Sequence, residues 1–255
     1  VKMGREIKGT RYIGVARGMG GEIAKSLATH KCKLGLIDLE QRSMTDTKEA
    51  CEAVGAKGMT YPADVTREED VVSTYRQVVA ELGPLYGAIN NAGITRDALL
   101  VKFKDGKFEK KMSLEDWQAV INVNLTGVFL SGREAAQLMI ESGTKGVIIN
   151  ISSIARHGNF GQTNYSATKA GVQAMAVVWA KELSRYGIRV NAIAPGFINT
   201  EMVAAMPDNV KEKLAAMIPL KRIGEPDEVA EAAEFIFQND YFSGRCIDLD
   251  GASRM

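Results

Sequence analysis

Tyr165 and Lys169 stand four residues apart in an apolar-rich stretch whose pattern predicts a helix over residues 165–186. Residues at this spacing share one face of a helix, so the phenol and the ammonium are expected to be neighbours. A nearby positive charge favours the phenolate and lowers the phenol pKa from its usual value of about 10. A phenol tuned in this way can give or take the proton of a carbonyl/alcohol pair. The spacing alone is common by chance, and a pair on a helix surface is the alternative interpretation.

Three other polar residues are candidates for the same site. Ser152 and Ser153 end the predicted strand 146–151, where a hydroxyl can hold a substrate oxygen as its charge develops. Asn124 lies within a helical pattern although asparagine is a poor helix former. Its amide is expected to bind a water or to interrupt the helix, with a plain structural hydrogen bond as the alternative.

A turn at Pro195 and Gly196 follows the predicted strand 188–194. Ile198 and Thr200 come next in the chain. A nicotinamide carboxamide bound beyond the end of this strand would need backbone and hydroxyl partners of the kind that these residues offer.

Glycines lie between the first predicted strand and the first predicted helix, at Gly14, Gly18 and Gly20, with Met19 between the last two. Glycines let the backbone turn sharply and approach a pyrophosphate, and a helix N-terminus presents free N–H groups and the positive end of its dipole. The G-x3-G-x-G spacing is weak alone. Its position after a strand and before a helix favours a nucleotide-binding loop.

Two charged residues bear on which nicotinamide dinucleotide would bind. Asp38 ends the second predicted strand, where a carboxylate accepts hydrogen bonds from a ribose 2′-OH and repels a 2′-phosphate. Arg17 in the glycine loop favours the opposite choice, because a basic group can pair with the 2′-phosphate of NADP(H); a solvated arginine is the alternative. We expect NAD(H) to be preferred, with NADP(H) as the second candidate.

Two more strand ends belong to the nucleotide side. Asp64 follows the third predicted strand and can accept a hydrogen bond from an adenine amino group, with a helix N-cap role near Thr66 as the alternative. Asn91, Ala92 and Gly93 close the fourth predicted strand, where small residues permit close passage of the adenine ribose. An ordinary strand-ending turn is the alternative for these three.

Short apolar runs alternate with longer helical patterns along the chain. The predicted strands are 10–13, 33–37, 58–61, 85–90, 146–151, 188–194 and 245–249, and the predicted helices are 18–28, 42–54, 68–82, 114–141, 165–186 and 225–238. Such alternation implies right-handed crossovers and a parallel sheet covered on both faces. The predicted fold class is therefore α/β: one domain over residues 1–255, with a Rossmann-type doubly wound sheet of about seven strands and helices on both faces.

Two segments break this alternation. Residues 100–112 are polar and turn-rich, which predicts a solvated surface loop. Residues 197–219 have the pattern of one or two short, mobile helices. Because ligands of a doubly wound sheet bind beyond the carboxyl ends of its strands, the second segment is either a lid over the substrate or a connecting loop.

Composition argues against several other classes of function. The 255 residues are 25% charged and 45% hydrophobic with a net charge of +1, and no long block of one charge sign indicates nucleic-acid or membrane-surface binding. The three cysteines and two histidines have no metal-binding spacing, so no metal site is expected. Neither a membrane span nor a signal peptide is recognisable, and we expect a cytoplasmic protein.

In order and spacing these motifs resemble a single-domain short-chain dehydrogenase/reductase over essentially the whole chain. Within that family the chain is most similar to the 3-oxoacyl-[acyl-carrier-protein] reductase group. The matching motifs are the glycine triplet, Asp64, residues 90–93, Asn124, Ser152 with Ser153, Tyr165 with Lys169, Pro195 with Gly196, and residues 247–251.

The resemblance implies a chemistry and a role for each site residue. Tyr165 is the acid/base, Ser153 orients the substrate oxygen, and Lys169 holds the nicotinamide ribose while tuning the tyrosine. Asn124 positions a water that relays protons to the lysine. The nicotinamide supplies the hydride to a carbonyl or acyl-thioester substrate. The residues implied to contact the cofactor are Gly14, Arg17, Gly18, Met19, Gly20, Asp38, Asp64, Val65, Asn91, Ala92, Gly93, Tyr165, Lys169, Pro195, Gly196, Ile198 and Thr200.

The chain also departs from the family pattern. Arg11 brings a charge into the first strand, and Ile13 stands where the family usually has threonine. The interval between the serines and the tyrosine is one residue shorter than usual, so counting back from the tyrosine selects Ser152, whereas counting from the strand selects Ser153. We select Ser153, because a strand fixes side-chain direction and the loop can absorb a deletion. Residues 100–112 form a longer segment than in the compact acyl-carrier reductases.

Two alternative functions and an assembly state complete the expectations. A non-catalytic dinucleotide sensor would have no need of the Tyr165/Lys169 pair. A sugar-nucleotide epimerase or dehydratase would need an added substrate domain, for which 255 residues leave little room. The helix predicted over 165–186 is apolar on more than one face, which predicts burial against another subunit in a homotetramer or homodimer.

Overall fold

Nine strands and nine α-helices carry the fold in the computed structural model, which describes residues 10–15 and 18–253. The strands are β1 (Arg11–Val15), β2 (Lys33–Asp38), β3 (Lys57–Pro62), β4 (Gly87–Asn90), β5 (Val101–Lys104), β6 (Lys107–Lys111), β7 (Val147–Ile151), β8 (Arg189–Pro195) and β9 (Cys246–Leu249). The α-helices are α1 (Met19–Ala28), α2 (Arg42–Ala53), α3 (Glu68–Leu82), α4 (Leu114–Ile121), α5 (Gly127–Glu141), α6 (Thr163–Leu183), α7 (Glu201–Ala204), α8 (Asp208–Met217) and α9 (Pro226–Gln238).

Seven of the strands form one sheet in the order β3-β2-β1-β4-β7-β8-β9, and every neighbouring pair in it is parallel. The order reverses between β1 and β4, which makes the sheet doubly wound and places a crevice at the carboxyl ends of these two strands. The predicted α/β fold is confirmed. Each predicted strand is present, with ends that differ by at most two residues from the prediction.

Alternating side chains give the sheet two apolar faces. Tyr12, Leu36 and Ile149 belong to the core on one face, which α1 and α9 cover. Ile13 and Ile148 belong to the core on the other face, which α3, α5 and α6 cover. Full burial of one such side chain contributes about 1.5–3 kcal/mol, so the two faces together stabilise the sheet and hold its strand ends in place.

Arg11 lies at the start of β1, at the edge of the sheet opposite the crevice. Its Nε donates a hydrogen bond to the carbonyl of Leu82 at 2.9 Å, in the last turn of α3. An arginine that binds the free carbonyls of a helix C-terminus is favourably placed. The charge in the first strand is therefore satisfied without entering the core, while Tyr12 and Ile13 are buried.

The segment 100–112 is not the loop that the sequence predicts. Strands β5 and β6 are antiparallel and are joined by a turn at Asp105 and Gly106, whose φ angles are positive, 50° and 74°. An aspartate–glycine pair is a strong signal for a two-residue hairpin turn, because glycine and, less readily, aspartate adopt this conformation. Because the two strands are polar, this turn signal is not recognised from the sequence alone. The expected surface exposure of the segment is present, since almost all of its residues are exposed.

Two predicted helical segments are divided. Residues 114–141 form α4 and α5 joined by a wider π-helical turn, Asn122–Thr126, so the helical path continues but its geometry changes at Asn124. Residues 197–219 contain α7 and α8, in agreement with the expected short helices.

Within residues 10–15 and 18–253, no helix combines the length and the hydrophobicity that crossing a membrane requires. The same residues contain no group of three or more histidine, cysteine or acidic side chains arranged to hold a metal ion.

Candidate active site

The candidate residues meet at one edge of the sheet because the carboxyl ends of all its parallel strands lie there. Asp38 ends β2, Asn90 ends β4, Ser152 follows β7 and Pro195 ends β8. Helix α6 begins near the same edge at Thr163 and carries the tyrosine in its first turn. The fold thus collects side chains that are up to 157 positions apart in the sequence.

Tyr165, Ser153 and Lys169 form the centre of this edge. The Tyr165 hydroxyl lies close to the Ser153 side chain, near enough for the serine to lower the pKa of the phenol. Lys169 lies one helical turn further on and is almost completely buried, with Nζ donating to the Ile151 carbonyl at 2.8 Å. Its Nζ is 5.5 Å from the centre of the tyrosine ring. The structure therefore brings together the three residues that the sequence selected for the chemical step.

The pKa of the Tyr165 phenol departs from the sequence-based expectation. Burial raises this pKa above its usual value, the hydrogen bond with Ser153 lowers it, and the Asp97 carboxylate raises it further. The predicted lowering by Lys169 is wrong, because the ammonium is directed at a backbone carbonyl and desolvation of the phenolate dominates. The phenol is consequently a protonated acid at neutral pH, the form that a carbonyl reduction needs.

Burial also acts on the lysine. It lowers the pKa of Lys169 from 10.5 to about 8, because the charged form loses its hydration within the protein. A group with a pKa near 8 can release and recover a proton close to neutral pH, which makes the lysine a candidate link between the phenol and solvent.

The two serines have different surroundings. Ser152 is buried, and its Oγ donates to the Lys169 backbone carbonyl at 2.8 Å. Ser153 faces the tyrosine, and its Oγ also accepts from the backbone N–H of Ala155 at 3.1 Å. Successive residues of an extended chain point to opposite sides, so only one of the two can reach the phenol. This geometry favours Ser153, the serine selected by counting from the strand.

Asn124 is fully buried in the π-helical turn and is hydrogen-bonded to the loop that follows β4. Its Oδ1 accepts from the backbone N–H of Ile94 at 2.8 Å and its Nδ2 donates to the Ile94 carbonyl at 2.9 Å. A Cβ at Gly93 would lie 3.6 Å from both Asn124 Oδ1 and Lys169 Nζ. The sequence offered an interrupted helix and a structural hydrogen bond as interpretations of Asn124, and both are present. The Asn124 amide also lies near the Lys169 ammonium.

The nucleotide side opens beside β1 and β4. A cleft there is lined by Gly14, Ile37, Val65, Asn90, Asn91, Ala92 and other residues. Asn91 Oδ1 is buried without a hydrogen-bond partner among the described residues. An unpaired buried acceptor costs free energy unless a ligand or water supplies a donor. The lining and the orphaned acceptor fit a bound adenine nucleotide.

The glycine loop is described only in part, since Arg17 lies outside the described residues. Gly18 precedes α1 with a φ of 55°, a conformation that favours glycine, and Met19 and Gly20 begin the helix. A Cβ at Gly18 would lie 3.9 Å from the Thr200 side chain. The glycine loop and the segment after β8 therefore face each other across the crevice, where the two ends of a dinucleotide could be held.

Asp38 and Asp64 already accept hydrogen bonds from nearby residues. Asp38 is buried, and its Oδ1 accepts from the backbone N–H of Leu39 at 2.8 Å. Asp64 Oδ1 accepts from the backbone N–H and hydroxyl of Thr66, at 2.9 and 2.7 Å. This carboxylate stabilises the turn before α3. The sequence offered a helix N-cap near Thr66 as the alternative role of Asp64, but the N-cap of α3 is Arg67.

Residues after β8 are arranged as a second wall. Pro195 ends the strand, and the N–H of Gly196 donates to the Leu249 carbonyl at 2.9 Å. Ile198 is buried, and Thr200 precedes the first turn of α7. Their contact with a nicotinamide stays a prediction.

Arg156 and Asn164 border the site but are absent from the sequence-based set. The guanidinium of Arg156 is almost fully buried, donating to the Ser153 carbonyl at 3.2 Å and to Asp248 Oδ1 at 2.6 Å. Asn164 is buried beside the tyrosine, and its Nδ2 donates to the Arg96 carbonyl at 2.9 Å. Asn164 is adjacent to Tyr165 in the sequence and Arg156 lies three residues after Ser153, but their partners Arg96 and Asp248 are distant in sequence.

Comparison with known proteins agrees with this geometry. The sequence profile of the family described as "Enoyl-(Acyl carrier protein) reductase" matches residues 14–251. The 3-oxoacyl-[acyl-carrier-protein] reductase FabG of Thermotoga maritima is 39% identical over 241 residues, 93% of this chain and 94% of the relative. The acetoacetyl-CoA reductase of Synechocystis sp. is 38% identical over 256 residues, 99% of this chain and 98% of the relative.

A solved structure gives the same result. A short-chain type dehydrogenase/reductase from Mycobacterium marinum superposes with a TM-score of 0.88 at 28% identity, covering 97% of this chain and 96% of that one. The chain belongs to the short-chain dehydrogenase/reductase family. It is an oxidoreductase that depends on a pyridine nucleotide and acts on CH–OH or ketone groups.

The first prediction separates the two serines. Ser153→Ala is expected to lower kcat by about 10²-fold or more, because the substrate oxygen and the phenol both lose a hydrogen-bond partner. Ser152→Ala is the matched control: it removes a buried hydrogen bond, which costs about 1 kcal/mol of stability, and should leave kcat within a few-fold. Steady-state rates and thermal unfolding of both variants check this. A larger loss of kcat in Ser152→Ala would reverse the assignment.

The second prediction uses the buried lysine. The folded-state pKa of Lys169 lies below its unfolded value of 10.5, so between pH 8 and 10.5 the unfolded chain binds the proton that the folded chain has lost. Stability of the unsubstituted protein should therefore rise with pH across this window, by about 3 kcal/mol relative to Lys169→Met. Urea unfolding at several pH values, with the exposed Lys57→Met as control, measures the effect. Parallel pH curves for the unsubstituted protein and Lys169→Met would contradict it.

Proposed function

We propose that the protein reduces the ketone of a 3-oxoacyl thioester, or oxidises the corresponding alcohol in the reverse direction, with NADH as the preferred cofactor. The observation that carries this proposal is that the Tyr165 hydroxyl lies beside the Ser153 side chain, one helical turn before the buried Lys169. The names of the two relatives described above, a 3-oxoacyl reductase and an acetoacetyl-CoA reductase, support the substrate class.

In the proposed reaction, the bound nicotinamide supplies the hydride to the carbonyl carbon. Ser153 donates a hydrogen bond to the carbonyl oxygen and, with the phenol, fixes its position. Tyr165 gives its proton to this oxygen as negative charge develops there, which its raised pKa permits at neutral pH. Lys169 stabilises the phenolate that results, and its own depressed pKa allows the phenol to be reprotonated through it.

Other residues hold the cofactor and complete the proton path in this proposal. The glycine loop and the N-terminus of α1 receive the pyrophosphate, and Asn91 pairs its unsatisfied acceptor with the nucleotide. Thr200 and the backbone near Gly196 receive the carboxamide. Asn124 is assigned the water that connects Lys169 with solvent, since an amide nitrogen has a second N–H beyond the one bonded to Ile94.

The preference for NAD(H) rests on Asp38. Its carboxylate ends the strand next to β1, where it suits a ribose 2′-OH and disfavours a 2′-phosphate. Helices α7 and α8 are proposed as a lid, because they follow the wall of the crevice directly and α8 has no buried residue. We retain a cytoplasmic location as a prediction.

The third prediction tests the reaction. Initial rates with acetoacetyl-CoA, simple ketones and crotonyl-CoA, each with NADH and NADPH, are expected to give the highest kcat/KM for acetoacetyl-CoA with NADH. Tyr165→Phe should lower turnover by at least about 10²-fold while NADH binding, followed by fluorescence, stays nearly unchanged. Retained turnover in this variant would refute the role of the phenol. Cofactor binding without any turnover in the unsubstituted protein would favour the dinucleotide-sensor alternative.

The fourth prediction concerns assembly into a homotetramer or homodimer. Helices α5 and α6 border an open groove that includes Phe129, Ile140 and Trp179, and both Phe129 and the neighbouring Val178 are unusually exposed for apolar residues. Light scattering at micromolar concentration should give a mass above one chain, and Phe129→Asp should reduce it. Tyr241→Asp, at a fully exposed aromatic residue elsewhere, is the control. A monomeric unsubstituted protein would remove the proposal.

A further inference from the structure

The hairpin formed by residues 100–112, named here the basic hairpin, begins near the loop that leads to the tyrosine. The backbone N–H of Ala98 donates to the Gly161 carbonyl at 2.9 Å, and Gln162 Nε2 donates to Asp97 at 2.9 Å. These contacts tie the segment before the hairpin to the loop that leads into α6, three residues before Tyr165. The four residues of β5 extend the tip by about 13 Å from this base.

Two aromatic side chains of the basic hairpin lack a covering partner. Phe103 and Phe108 are opposite each other in the register, with ring centres 5.8 Å apart in an edge-to-face arrangement. They remain 63% and 56% exposed, and Leu100 and Val101 nearby are also exposed. Apolar groups clustered on a surface indicate a contact site, and aromatic side chains commonly occupy the centre of protein interfaces.

Positive charge surrounds the aromatic pair. The basic hairpin has five lysines and two acidic residues, whereas the whole chain has a net charge of only +1. Lys102 pairs with Glu109 at 2.6 Å. Within the described part of the chain, the other four lysines of the hairpin, which are Lys104, Lys107, Lys110 and Lys111, form no ion pair. The hairpin therefore presents an unneutralised positive rim, which favours an acidic partner.

The shape of the basic hairpin favours a protein over a small anion. All five residues of β6 and three of the four in β5 are exposed, so the element is a projecting surface rather than a cleft. Small-ligand sites bury most of the ligand in a concave pocket.

We propose that the basic hairpin docks the acidic surface of a carrier protein that delivers the acyl thioester to the site. This inference rests on the proposed 3-oxoacyl reduction and adds the partner and its binding surface. Docking at the hairpin places the partner next to the N-terminal turn of α6, from which an attached acyl chain reaches Tyr165. Attraction between opposite charges accelerates encounter, so the hairpin acts on KM and on its salt dependence rather than on kcat.

The test compares one 3-oxobutyryl group on three carriers: a truncated pantetheine thiol, coenzyme A and an acidic acyl carrier protein. The Lys104→Glu/Lys107→Glu variant is expected to raise KM about tenfold for the protein-borne substrate at low salt. Its kcat, and both parameters for the truncated thioester, should be unchanged. Lys31→Glu/Lys57→Glu is the matched control, because it makes the same charge change at exposed residues near the amino-terminal edge of the sheet.

A second variant tests the aromatic pair without a change of charge. Phe103→Ser/Phe108→Ser should weaken binding of the carrier protein, measured by titration, while the truncated thioester is reduced at the unsubstituted rate, which shows an intact site. An unchanged KM for the protein-borne substrate in both variants would overturn the proposal. So would an equal rise of KM for coenzyme A, or sedimentation with anionic phosphatidylserine vesicles in place of carrier binding.

The outcome also separates this inference from the function on which it rests. If no 3-oxobutyryl thioester is reduced but the carrier protein binds and the hairpin variants release it, the docking surface stands and the proposed reaction fails. If the truncated thioester is reduced and the carrier protein does not bind, the reaction stands and the docking surface is refuted.

Discussion

Burial of one ammonium group constrains the whole candidate site. Lys169 is held below the protein surface, with the Ile151 carbonyl at 2.8 Å as a hydrogen-bond acceptor. A buried charge costs free energy, and this cost lowers the pKa of the lysine. The position of this nitrogen is fixed from two directions, by the end of β7 and by α6. The phenol one turn earlier is consequently fixed as well.

The same nitrogen determines its other neighbours. Gly93 belongs to the same group, because a Cβ there would lie 3.6 Å from the lysine nitrogen and from Asn124 Oδ1. The wider helical turn at Asn122–Thr126 places the Asn124 amide against the end of β4, where it binds both backbone groups of Ile94. Such turns inside α-helices often occur at functional sites. Here the irregular turn connects the helix, through the hydrogen bonds of Asn124, to the loop that follows β4 beside the lysine.

Local patterns predicted the fold and the central residues well. Apolar runs alternating with helical periods gave the parallel sheet, and helical spacing gave Tyr165 and Lys169. Properties that depend on distant partners were not available from the sequence. The phenol pKa rises because of burial, which no spacing reveals, and the Arg156–Asp248 ion pair joins residues 92 positions apart. The hairpin at 100–112 was missed for a different reason, since its strands are short and polar and only the Asp105–Gly106 pair signals the turn.

The shortened interval between the serine and the tyrosine is accommodated in the loop and not at the strand end. Ser153 is followed at once by a 3-10 turn, Ile154–His157, in which Arg156 holds the Ser153 carbonyl and reaches across to Asp248 on β9. Gly158 and Gly161 then have φ angles of 111° and 79°, which permit a tight path into α6. Because Ser152, the residue before it, is hydrogen-bonded to β8 through its backbone N–H, the strand end fixes Ser153, and losing a residue afterwards changes the loop and leaves the serine beside the phenol.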